Sequence, residues 1–346
     1  MNDLKIGHHI IGNNHPPFII AEMSGNHNQS LEKAFELVDA VAQSGVHALK
    51  LQTYTADTIT VKGAYTINDK DSLWNGKDLY DLYSEASTPW EWHKAIFEKA
   101  KEKGLIAFSS PFDESGVDLL EKLNVPCYKI ASFENTDHIL LKKVAQTGKP
   151  IIMSTGVSNI SDIEESVRIL QKNGCRDIIL LKCTSTYPSS PENTNLLTIP
   201  YLKEKFKCNV GLSDHTMGIG VSVAAVALGA RVIEKHFTLR RADGGVDSAF
   251  SIEPEEMKLL VEESRKAFFA IGKIQIQIEP TEEKSLVYKR SLYVVEDISI
   301  GEFFSKENVR SLRPALGLHT RYYEEVLGKR AKLNIKKGTP LTREML

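Results

Sequence analysis

His215 and His236 each close a short apolar run, in VGLSDH and VIEKH. Two imidazoles on neighbouring segments can bind one divalent ion and leave positions open for water and substrate. Asp214 and Asp247 could fix their orientation from behind. A pair of hydrogen-bonded core histidines would carry the same signature, and two imidazoles without a third ligand do not by themselves make a metal site. A second set joins ammonium and hydroxyl groups: Lys50 and Lys129 with Ser110, Ser132, Ser154 and Ser213. Ammonium groups supply charge and hydroxyls supply directed hydrogen bonds, which suits a ligand bearing phosphate and carboxylate. The competing reading pairs both lysines with Glu22 and Glu234 inside the fold, since a buried Lys needs a partner.

These residues fall at the ends of eight strand-like runs: Phe18–Met23, Ala48–Gln52, Ile106–Ser110, Cys127–Ser132, Ile151–Thr155, Ile178–Thr184, Val210–Asp214 and Val232–Phe237. Most are rich in Leu and β-branched residues, as strands buried on both faces are. Helical patterns fill the gaps. Leu31, Ala34, Phe35, Val38, Val41 and Ala42 share one helical face, with Ser30 as N-cap. TPWEWHKAIFEKAKEKG predicts a helix with Thr88 as N-cap, Pro89 in its first position and Gly104 past its end. Strand and helix alternating eight times predict an α/β fold, a (β/α)8 TIM barrel, whose active sites sit at the C-terminal ends of the strands. The connection from Thr53 to Ser87 is too long for a plain loop and is expected to shape the site. The alternation stops near Glu279. Residues 1–278 are expected as barrel, 279–284 as a polar linker and 285–346 as a small C-terminal β-rich domain, with strands in SLYVVED and KLNIKK.

The chain has 346 residues, 42% hydrophobic and 25% charged, with a net charge of −2. That is the balance of a soluble globular protein and argues against a nucleic-acid coat or a polybasic membrane anchor. No apolar run approaches the ~20 residues of a membrane span. The N-terminus, MNDLKIGHHIIGNNHPPF, makes a poor signal peptide. Cys127, Cys175, Cys183 and Cys208 form no CxxC pair, which suggests reduced thiols in a cytoplasmic protein. His8, His9, His15, His27 and His47 read mostly as surface or loop residues, and Trp90 and Trp92 as core. Trp74 stands apart, in the long insert beside Asn75 and Gly76.

IIAEMSGNHNQSLEKAFELVDAVAQSGVHALKLQTY, SSPFDESGVDLLEKLNVPCYKIASFE, PIIMSTGVS, KCTSTYP, GLSDHTMG and IEKHFTL together resemble the sialic acid synthase family of phosphoenolpyruvate-condensing enzymes. From about Ser285 the chain is similar to that family's antifreeze-like (SAF) domain. The insert WNGKDLYDLYSEASTPWEWH resembles the pseudaminic acid branch, where sialic and legionaminic acid synthases carry a shorter Glu-Leu-type motif. The resemblance implies that phosphoenolpyruvate condenses with an open-chain amino-sugar aldehyde, with cleavage of the C–O bond to phosphate. It implies that Lys50, Ser110, Lys129, Ser132, Ser154, Ser185, Tyr187 and Ser213 hold phosphoenolpyruvate. His215 and His236 would bind a divalent metal ion (Mn2+, Mg2+ or Co2+), and Glu22 would handle the water or a proton. Gln52, Trp74, Asp247 and Arg313 would face the sugar, Arg313 reaching over from the SAF domain of a partner subunit in a homodimer. Ser185 and Ser110 stand where sialic acid synthases have Asn and Thr, and both keep a hydrogen-bonding group. On this basis GLSDHTMGIG turns Ser213 to the anion and His215 to the metal, Asp214 and Thr216 orient them, and Gly218 with Gly220 opens the turn.

Two other readings compete. A Schiff-base aldolase on the same barrel would use Lys129 or Lys182 as nucleophile and need no metal. A sugar- or ice-binding protein built around the tail would leave the polar strand ends of the barrel without a purpose.

Overall fold

A computed structural model describes residues 3–70 and 72–346. The chain divides into two compact units, Met1–Gly272 and Lys273–Leu346. The first opens with a hairpin not expected from the sequence, β1 (Leu4–Ile6) and β2 (His9–Ile11). Its strands are too short to show a period, yet Leu4, Ile6 and Ile11 are buried against the barrel core. Gly7, at φ +57°, turns the hairpin close to Ile106 at the start of a barrel strand.

Eight strands follow: β3 (Phe18–Glu22), β4 (Ala48–Thr53), β5 (Ile106–Pro111), β6 (Tyr128–Ile130), β7 (Ile151–Ser154), β8 (Ile178–Cys183), β9 (Asn209–Asp214) and β10 (Val232–His236). They close in sequence order into a parallel barrel, β10 pairing with β3. All five residues of β3 and all six of β9 are buried, as strands covered on both faces must be. β6 is shorter than expected. Its chain leaves the ladder before Ser132, which begins a 3-10 turn, Ser132–Glu134.

Ser30 caps the helix Leu31–Gln43 as expected, its Oγ accepting from Lys33 N at 3.2 Å. Thr88 does not cap its helix. Pro89 stays extended as N-cap, the helix starts at Trp90, and Thr88 Oγ1 meets His27 Nε2 at 3.1 Å instead. His27 is therefore fully buried rather than a surface residue. His47 is half-buried under the barrel, its Nδ1 accepting from Ile19 N at 2.9 Å and its ring 4.4 Å from that of His9. Trp90 and Trp92 are half-buried. The long insert contains two helices, Ala56–Ile59 and Leu79–Ala86. The four cysteines are unpaired, and no helix among the described residues is long and apolar enough to cross a membrane.

In the second unit β11 (Ser291–Val294) pairs with β12 (Val309–Leu312) antiparallel. Leu292, Val294, Phe304, Val309, Val326 and Leu341 form its core. KLNIKK contributes a single bridge, Ile298 to Ile335, rather than a strand. The stretch expected as linker lies within 3-10 turns, Pro280–Tyr288. Glu282 accepts from Glu279 N at 3.1 Å, and Pro280 suits the first turn.

Candidate active site

Barrel register assembles the site. Parallel pairing sets Glu22 beside Lys50 and His236, Gln52 beside Ser110, and Ser213 beside Glu234. Lys50 Nζ lies 2.5 Å from Glu22 Oε2, 3.7 Å from Glu234 Oε2 and 3.2 Å from Ser110 Oγ. Lys129 Nζ lies 3.3 Å from Glu234 Oε1, which also accepts from Ser213 Oγ at 3.0 Å. The lysine–glutamate pairing weighed above is thus present, and the four buried charges balance. The two carboxyls differ. Burial raises Glu22, and Lys50 beside it limits the rise. Burial also works against charge on Glu234, but Lys129 and Lys50 outweigh it and hold that carboxyl below its ordinary value. Carboxyls pushed apart in this way can divide proton duties, Glu234 staying ionised while Glu22 takes up a proton more readily.

The ends of β6, β7 and β8 build a hydroxyl cradle. Ser132 Oγ accepts from Gly156 N at 3.2 Å, and Ser154 Oγ is buried with no partner. A Cβ on Gly156 would stand 2.3 Å from Ser185 Oγ and 2.7 Å from Ser132 Oγ, so only glycine leaves both hydroxyls in place. Asn135 pins the loop, donating to the carbonyls of Ser154 and Gly156 at 3.1 and 3.2 Å. Two steps from Ser132, Glu134 has a buried oxygen without a partner. Burial pushes its carboxyl up to about 7, with Lys129 working against the rise. Hydroxyls with spare capacity beside cationic lysines suit the oxygens of an anion.

The rings of His215 and His236 lie 5.4 Å apart. The Tyr187 ring lies 4.4 Å from that of His215, tilted to it, and that of Phe250 lies 5.0 Å from His236. His215 Nδ1 is 3.0 Å from Thr184 O, which can only accept, so Nδ1 carries the proton and Nε2 is the nitrogen that could bind a metal. His236 Nδ1 is buried without a partner, and burial keeps this imidazole neutral, the form that binds metal. The two imidazoles could hold one divalent ion between them, His215 only when deprotonated, since the neighbouring Cys183 raises it against burial. Among the described residues no group of three or more His, Cys, Asp or Glu is gathered for a metal.

Asp214 does not orient the imidazoles. Successive strand residues face opposite ways, so with Ser213 turned into the barrel Asp214 faces the helix layer. There it accepts from Thr216 N and Oγ1, Ser222 Oγ and Lys235 Nζ at 2.9, 2.8, 2.6 and 2.9 Å. It fastens the turn onto the helix Gly220–Ala227. Gly218 takes the left-handed conformation of that turn (φ +69°), and Gly220 does not. Asp247 accepts from Ser24 Oγ rather than holding either histidine. Gln52 is half-buried beside Ser110. Trp74 does reach the site: Nε1 donates to Val246 O at 3.1 Å, and its ring lies 6.0 Å from that of Tyr187. Arg313 belongs to the second unit, exposed just past β12.

Residues 37–276 match the model of the NeuB family, and residues 289–346 match that of the SAF domain. The chain belongs to the NeuB family. It is 45% identical to the pseudaminic acid synthase of Campylobacter jejuni, over 94% of this chain and 95% of that protein. The pseudaminic acid synthase of Helicobacter pylori is 43% identical over 94% of this chain and 97% of its own. The crystal structure of N-acetylneuraminic acid synthetase from Leptospira borgpetersenii superposes with a TM-score of 0.73 at 31% identity, covering 83% of this chain and 96% of that one. Gly156, Glu134 and Phe250 line the candidate site, and strand-end reasoning passed over them. Glycine directly after a polar strand end, in STG, was the available signal for Gly156; Glu134 and Phe250 lie in 3-10 turns, which carry no period.

Proposed function

We propose that this chain is a pseudaminic acid synthase. It joins phosphoenolpyruvate to the open-chain aldehyde of 2,4-diacetamido-2,4,6-trideoxy-L-altropyranose, giving a nine-carbon 2-keto acid and phosphate. What carries this reading is the 45% identity to a pseudaminic acid synthase across 94% of the chain. Ser132, Ser154 and Ser185 with Lys129 hold the phosphate and carboxylate of phosphoenolpyruvate, and Ser110, Ser213 and Tyr187 complete the contacts. A divalent ion held by His215 and His236 would polarise the aldehyde oxygen. Carbon 3 of phosphoenolpyruvate adds to the aldehyde carbon. Glu22 takes a proton from the water that attacks carbon 2, a task its raised carboxyl favours. The C–O bond then breaks, the bridging oxygen leaves with phosphate, and Lys50 and Lys129 offset the departing charge.

The working unit in this reading is a homodimer in which the SAF domain of one copy brings Arg313 to the sugar in the other. Support comes from Ile274, Ile276 and Ile278, which recur at every second position and are 94%, 93% and 52% exposed. Apolar side chains in such a row ask for a cover.

Phosphate release with phosphoenolpyruvate and each sugar tests the reading. The diacetamido sugar should support turnover, N-acetylmannosamine should not, and chelator should abolish the rate until Mn2+, Mg2+ or Co2+ is restored. Turnover of N-acetylmannosamine alone would overturn the choice of sugar. Full activity in excess chelator would remove the metal. A lysine trapped by borohydride with substrate would favour the Schiff-base aldolase, for which Lys129 and Lys182, both lowered chiefly by burial, are the candidates.

A further inference from the structure

We infer that a cavity of about 250 Å3 beside the barrel mouth is the subsite for the far end of the sugar, its C4 acylamino group and C6 methyl. The inference rests on the functional reading above and extends it to the residues that select the substrate. Two distant segments build the cavity: the insert after β4, through Leu73, Trp74, Lys77 and Glu85, and the loop after β10, through Val246 and Ala249. The hydrogen bond from Trp74 Nε1 to Val246 O joins the two walls. The second wall is held in place. Gly245 sits at φ +138° with no room for a Cβ, which would stand 2.7 Å from Asn28 Oδ1, and Asn28 Nδ2 donates to Gly244 O at 3.2 Å.

Position and chemistry both point to the tail of the sugar. The Trp74 ring is one aromatic neighbour removed from the imidazoles, 6.0 Å from Tyr187, which is 4.4 Å from His215. A sugar whose aldehyde carbon lies at His215 and His236 can extend past Tyr187 to reach Trp74. The walls offer carbon from Leu73, Val246, Ala249 and the indole, and one ion pair, Lys77 Nζ to Glu85 Oε2 at 2.5 Å. An acylamino group matches this: its methyl meets the apolar wall, its carbonyl faces the ammonium and its N–H faces the carboxylate. A hydroxyl at C4 would reach the same ion pair but leave the apolar wall uncovered, which weakens it relative to the acylamino group.

The test uses the full-length enzyme, phosphate release, and two sugars that differ only at C4, acetamido against hydroxyl. Ala249→Leu fills the cavity from an exposed loop position, and Val246→Ala enlarges it. Wild type should prefer the diacetamido sugar. Ala249→Leu should lower kcat/KM for that sugar about tenfold or more while leaving the 4-hydroxy sugar and KM for phosphoenolpyruvate little changed, since pocket methylenes discriminate on that scale. Val246→Ala should shrink the preference too. A wild-type preference that survives unchanged in both folded variants overturns the subsite alone. A wild type that turns over N-acetylmannosamine and ignores the diacetamido sugar overturns the functional reading, and the subsite with it.

Discussion

Gly156→Ala probes the anion cradle with a single methyl group. Gly156 is not among the residues in the left-handed backbone region, so alanine meets no torsional penalty there. The penalty is steric. The new Cβ would stand 2.3 Å from Ser185 Oγ, 2.7 Å from Ser132 Oγ and 3.1 Å from Ser132 Cβ. Ser185 relieves its clash by rotating its hydroxyl away. Ser132 is less free, because moving its oxygen also breaks the bond from Gly156 N. A hydrogen bond to a charged oxygen contributes ~1.5–3 kcal/mol. Each hydroxyl turned away should therefore weaken phosphoenolpyruvate by about 10- to 150-fold. Overpacking should cost a further ~1–3 kcal/mol of stability. Initial rates of phosphate release across phosphoenolpyruvate concentrations, at saturating sugar, give the first quantity, and a thermal melt gives the second. Adding Ser185→Ala to the variant separates the two effects: it removes the worst clash and should restore the melt, but not the affinity. A KM for phosphoenolpyruvate within about twofold of wild type in folded Gly156→Ala protein would refute the cradle.

Ser154→Ala removes a buried hydroxyl that has no partner, so stability should hold or rise slightly while KM for phosphoenolpyruvate increases; a marked fall in melting temperature would mean the hydroxyl is already engaged. Glu234→Ala strands Lys129 and takes one of two carboxylate partners from Lys50, and should cost about 3–5 kcal/mol in denaturant unfolding, with an unchanged midpoint counting against the charge cluster. His27 is buried neutral: Nδ1 accepts from Gln29 N and Nε2 donates to Thr88 Oγ1, both at 3.1 Å, and burial followed by His93 lowers it to about 4. The unfolded chain then binds the extra proton between about 6.5 and about 4, so the contribution of His27 is whole above that window and lost as pH falls through it. Within the window, wild type should lose about 1.4 kcal/mol per pH unit more than His27→Gln. Parallel stability curves for the two proteins would rule this out.

Much of the barrel was legible in local composition. Apolar runs of strand length, helical stripes between them and the Ser30 cap depend on neighbours a few residues away, and the eight strands fall where those patterns place them. The list of polar residues at the strand ends followed from the same runs. Partner choice did not. Lys50 meets Glu22 through the β3–β4 register, and it reaches Glu234 only because the barrel closes β10 onto β3. Asp214 serves Lys235 and the helix Gly220–Ala227 because pleating turns it away from the histidine that follows it. Thr88 reads locally as a helix cap and is used as a partner for a histidine 61 residues earlier. Trp74 and Val246, 172 residues apart, join only when two long loops return over the same strand ends. Strand and helix periods are set by covalent geometry and local burial, so sequence carries them. Which polar groups finally touch depends on register and loop return, and these are decided when burial of the whole core is satisfied at once.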